Sequence, residues 1–120
     1  MDGNKIDLSL RDLNRFYGSE YYHTLNIFGV SFNLTDGAKY VYENGYAWFI
    51  KDALIYTFMK LKNEEFLTIE LKLGENKTAE MIITDGNEKV LYTQKYGYTD
   101  AKRSFKMFFT DNVLMLAGEY

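Results

Sequence analysis

From Glu65 onward the chain repeats one pattern: a short run in which apolar and polar residues alternate, followed by a turn. Glu65 to Leu73 alternates through Phe66, Leu67, Ile69, Leu71 and Leu73 and stops at Gly74-Glu75-Asn76-Lys77. Thr78 to Thr84 stops at Asp85-Gly86-Asn87, Lys89 to Tyr96 follows, and Asp111-Asn112 separates Arg103 to Phe109 from Val113 to Leu116. Successive strand residues point to opposite faces, so such runs bury one face, and Asp-Gly between two of them is a strong hairpin signal. The expectation is an antiparallel meander of about five strands with one face on a core.

The first half supplies the cover for that face. Tyr46 to Leu61 sets Trp48, Asp52, Ile55 and Met59 on one line and Ile50, Leu54, Phe58 and Leu61 on another, at helical spacing. This is the central helix; being apolar on most sides, it is expected between two layers, with Trp48 in the core. A short N-terminal helix is expected over Asp7 to Gly18, capped by Ser9 with Asp12, striped by Leu10, Leu13, Phe16 and Tyr17, and stopped by Gly18. Tyr21 to Leu25 and Val30 to Leu34 read as short strands around Asn26 and Gly29. Ala38 to Gly45 reads as a short helix capped by Thr35 or Asp36 and ended by Asn44-Gly45. The whole describes one α+β domain spanning residues 1–120, a usual size for a single folding unit.

Composition narrows the chemistry. The chain has no cysteine and a single histidine, His23, which excludes disulfides, thiolate or multi-histidine metal sites and iron–sulfur clusters. No cofactor is expected. The start, Met1-Asp2-Gly3-Asn4-Lys5, is polar, and the longest apolar runs fall far short of the roughly 20 residues that span a bilayer. A cytoplasmic protein that crosses no membrane is therefore expected, which sets aside the glycosylation pattern at Asn33-Leu34-Thr35 and Asn76-Lys77-Thr78. A net charge of −3 and a pI near 5.1 argue against general attraction to phosphate backbones and toward a partner with a basic surface. The 11 tyrosines and 9 phenylalanines suit either an AT-rich genome or a tyrosine-rich binding face, since tyrosine offers large contact area at low entropic cost.

Four groups of residues are candidates for a site. Asp36, Asp52 and Asp100, with Glu20 and Glu119, are carboxylates of which two brought together would hold Mg²⁺ for phosphodiester hydrolysis. Capping is the default role for Asp36 and Asp100, which follow threonines at turns, and Asp52 sits where it would bond a neighbouring layer. Lys102, Arg103 and Lys106 with Tyr96 and Tyr98 form a basic, aromatic cluster of the kind that holds single-stranded nucleic acid, although such lysines more often guard a strand edge. His23 reads as a hydrogen-bonded strand histidine rather than a general base. Tyr21, Tyr22, Tyr40 and Tyr42 are the tyrosines proposed for a partner surface, and a terminal strand ending in Leu114-Met115-Leu116 offers an edge for homodimer formation.

Five segments, taken in order, resemble a family of small uncharacterised domains from bacteria, phages and other mobile elements. They are Phe16-Tyr17-Gly18-Ser19-Glu20-Tyr21-Tyr22, Thr35-Asp36-Gly37-Ala38-Lys39-Tyr40, Trp48-Phe49-Ile50-Lys51-Asp52-Ala53, Tyr98-Thr99-Asp100 and Val113-Leu114-Met115-Leu116-Ala117-Gly118-Glu119-Tyr120. The chain departs from the family pattern where prolines are expected, after Asp100 and near Ala117-Gly118. The resemblance implies a shared fold and no known activity. With small size, acidic balance and abundant tyrosine, it leads to the expectation of a non-enzymatic protein-binding module. By analogy with phage inhibitors of CRISPR effectors, that module would occupy a basic surface on a larger host defence protein or ribonucleoprotein.

Overall fold

The computed structural model describes residues 22–119. The N-terminal helix expected over Asp7 to Gly18, together with Glu20, Tyr21 and Tyr120, lies outside them. The elements in chain order are strands β1 (His23–Ile27) and β2 (Val30–Leu34), helices α1 (Asp36–Val41) and α2 (Ala47–Lys60), then strands β3 (Phe66–Leu73), β4 (Ala79–Thr84), β5 (Val90–Tyr96), β6 (Phe105–Thr110) and β7 (Val113–Leu116).

The strands form one seven-stranded sheet in the order β1-β2-β7-β6-β3-β4-β5, mostly antiparallel, with β2 and β7 parallel. This corrects the five-strand meander. Within the expected meander β3, β4 and β5 follow one another as hairpin neighbours and β6 pairs with β7, but β5 and β6 are not adjacent. After β5 the chain returns to the other side of β3, where β6 pairs, and β7 then meets β2 through Asn33 opposite Val113 and Leu34 opposite Leu114. Two hydrogen bonds fix the returning loop: the Thr99 amide donates to the Lys77 carbonyl at 2.7 Å and the Lys102 amide to the Tyr46 hydroxyl at 3.2 Å. Leu114-Met115-Leu116, expected at an edge, is therefore an inner strand, and the outer strands are β1 and β5.

One face of the sheet carries the core. Leu67, Ile69 and Leu71 on β3, Met81 and Ile83 on β4, and Met107 on β6 are buried at alternate positions against Phe49, Ile50 and Leu54 of α2. The side chains between them are only part-covered, as the two-residue strand period requires. The helix is thus laid on one face of a single sheet rather than buried between two layers, and Lys51, Phe58, Met59 and Lys60 are exposed on its outer side. Trp48 is half-buried at the margin of the core.

Local chemistry explains how α1 and α2 are joined. Thr35 caps α1 by accepting from the Ala38 amide at 3.3 Å. The chain then runs through a wide turn, Tyr42–Tyr46, that breaks at Asn44 and at Gly45, whose φ of +105° only glycine adopts freely. The Asn44 side chain donates to the Tyr40 carbonyl and the Trp48 indole to the Gly45 carbonyl, so the break is held from both sides.

Candidate functional site

His23 on β1 meets Asp36 at the start of α1, with Nε2 and Oδ1 2.7 Å apart. Beside them, Glu119 in the turn after β7 accepts from the Thr35 hydroxyl at 2.6 Å, the Gly37 amide at 3.0 Å and the Leu116 amide at 2.8 Å. A Cβ on Gly37 would lie 2.6 Å from a Glu119 carboxylate oxygen, which explains the glycine. Two of the segments that carry the family resemblance, around 35–40 and 113–119, thus form one clasp that ties the C-terminal turn to the first helix.

Asp52 makes a second clasp. It accepts from the Tyr96 hydroxyl at 2.9 Å and from the Gln94 side chain at 3.4 Å, joining α2 to β5. Burial, and then the Asp52 carboxylate, hold the Tyr96 phenol well above its ordinary range, so it stays a donor. Trp48 sets its ring edge-on to Tyr96 at 4.9 Å, and Tyr98, Thr99 and Asp100 complete a shallow notch there of about 230 Å³. Asp36 and Asp52 are thus committed to different partners. Among the described residues no group of three or more histidine, aspartate or glutamate side chains is arranged to hold a metal ion.

The basic cluster is divided between the two faces of the sheet. Tyr96 faces α2, while Lys106 lies between the buried Phe105 and Met107 and so points to the opposite face, in register with Glu70. Lys102 and Tyr98 are exposed in the loop between them, and Arg103 is half-buried. Most described tyrosines serve the fold: Tyr40 and Tyr42 pack half-buried on the core, Tyr46 lies within it, and Tyr56 stacks on Tyr92 at 3.6 Å. Tyr22 is exposed at the head of β1.

The residue that sequence reasoning passed over is Phe28. It and Gly29 make the two-residue turn between β1 and β2, with φ of +49° and +83°. Such turns demand left-handed backbone at both positions and favour Asn, Asp or Gly at the first, so a phenylalanine there is strained. Burial does not offset the strain, because Phe28 is 92% exposed. Met59, 64% exposed, and Phe58 project beside it from the last turns of α2. With Ile27, Val30, Phe32 and Ile55 they border an apolar groove of about 210 Å³. A wider cleft adjoins it through Phe32 and Phe58 and bears Glu64, Glu65 and Asp111 against a single Lys62, so this flank of the apolar tip is acidic. The available signal was a bulky aromatic directly before Gly29 in a two-residue connection, where turn chemistry asks for asparagine.

A family of unknown function (DUF6876) matches the chain over residues 7–120. No curated protein and no solved structure matches it.

Proposed function

The chain belongs to that family of unknown function, and from this premise we propose that it is a non-enzymatic protein-binding module that docks through the tip of its β1–β2 hairpin. The observation that carries the reading is Phe28: a large side chain held in unfavourable backbone, solvated, and flanked by further exposed apolar groups. Strain that the fold does not recover is a signature of functional sites, and aromatic anchors are what dominate protein interfaces. The acidic flank favours a partner whose apolar pocket has a basic rim. In the full form of the proposal, the chain is encoded by a mobile element, works in the cytoplasm and blocks a host defence protein or ribonucleoprotein by occupying that surface. No helix among the described residues is long and apolar enough to cross a membrane. The separation of Lys106 from Tyr96, and the pairing of Asp36 and Asp52 with their own partners, turn the reading away from nucleic-acid binding and hydrolysis.

Affinity capture from a host lysate with the full chain and with Met59→Glu tests it. The wild-type chain is expected to retain a stable partner that Met59→Glu, folded to the same melting temperature, releases. Capture of the same partner by both chains, or of none by either, contradicts the docking site.

A further inference from the structure

We infer that the cleft beside the hairpin tip is a binding site for a small organic cation with an apolar body, independently of any protein partner. The cleft lies where the end of α2 and the connection into β3 overhang the β6–β7 turn. Its volume of about 820 Å³ falls within the range of small-molecule sites. Phe58 and Phe109 give it aromatic walls. Glu64, Glu65 and Asp111 give it an excess of negative charge, because Lys62 alone opposes them and lies over the Phe58 ring, 4.2 Å from its centroid.

A separate observation points to a ligand. Thr57, only 5% exposed, lines this cleft, and its hydroxyl has no hydrogen-bond partner. Buried polar side chains are nearly always partnered, so an orphan in a cavity wall marks where a bound group supplies the missing bond. An ammonium or guanidinium answers both features, since it donates to a hydroxyl oxygen and is attracted by carboxylates and aromatic faces. The walls are also built to persist. The Thr110 hydroxyl donates to the Glu65 carbonyl at 2.8 Å, and the Asn112 side chain donates to the Ser31 carbonyl at 3.0 Å.

The test is a titration of the isotopically labelled full chain with 2-phenylethylamine, followed by amide chemical shifts, with 2-phenylethanol as the uncharged counterpart. Shifts are expected at Thr57, Phe58, Glu65 and Asp111 with the amine, and much weaker ones with the alcohol. Replacing Glu64→Gln together with Asp111→Asn, which keeps a residue tolerant of the left-handed turn, should weaken amine binding about tenfold or more, as expected when charge-assisted bonds are lost. Thr57→Val should raise the melting temperature, because it removes an unpartnered hydroxyl, and should weaken binding at the same time. Equal binding of amine and alcohol, shifts located elsewhere, no shifts at millimolar amine, or a Thr57→Val chain that binds the amine as the wild type does would each overturn the assignment.

Discussion

Two residues illustrate opposite uses of backbone geometry. Gly37 is required by close approach: alanine would gain roughly 0.5–1 kcal/mol of helix preference, but its Cβ would meet Glu119 at 2.6 Å and Leu116 at 2.8 Å. Overpacking of that kind costs about 1–3 kcal/mol, so the clash wins. Gly37→Ala is expected to lower stability by about 1–2 kcal/mol in denaturant unfolding, and an unchanged midpoint would contradict the clasp. Removing the carboxylate itself should cost more. Glu119→Ala leaves the Thr35 hydroxyl and the Gly37 and Leu116 amides without the carboxylate they share, a loss of about 2–3 kcal/mol by the same measurement. Phe28 is the reverse case, a residue whose backbone the fold would rather give to asparagine. The sequence made the Thr35 cap and the glycine break at Gly45 legible, because both are local chemistry. It did not disclose that Glu119, far along the chain, would fill the space over Gly37.

At the scale of elements, α2 and the hairpins of β3, β4 and β5 were readable from spacing and turn residues, since their partners are close in sequence. The helix was misplaced only in its surroundings: Phe58 and Met59 look like core on a helical wheel, yet they face solvent beside the hairpin tip. The attachment of α2 to β5 rests on Asp52 and Tyr96, and it gives a pH signature. Below about pH 10, the ordinary tyrosine value, both folded and unfolded chains keep the phenol proton and the contact contributes fully. Above it the unfolded chain ionises first, because the folded phenol is held higher, so stability falls as pH rises toward the folded value. Thermal melts across the alkaline range should therefore decline more steeply for the wild type than for Tyr96→Phe, with the two curves parallel below about pH 9. Equal alkaline slopes would contradict the burial and hydrogen bond assigned to this phenol.

The whole molecule shows why strand order was beyond the sequence. Nothing local tells β6 to pass β5 and β4 and pair with β3; the choice is made by the loop bonds of Thr99 and Lys102 and by burial of Phe105 beneath Tyr46 and Phe49. The parallel pairing of β2 with β7 depends on contacts some eighty residues apart. That topology leaves the β1–β2 hairpin at one end of the sheet with its tip beside the end of α2, and so creates an apolar tip with an acidic flank that no single segment contains. The decisive measurement follows Phe28→Asn in two assays on the same preparation, thermal unfolding and capture of the host partner. Relief of left-handed strain is expected to stabilise the chain by about 1 kcal/mol, seen as a rise of roughly 3–6 °C in Tm, while partner capture is lost. A variant that is no more stable than the wild type, or that still captures the partner, would contradict the proposal that this strained, solvated phenylalanine is kept for binding.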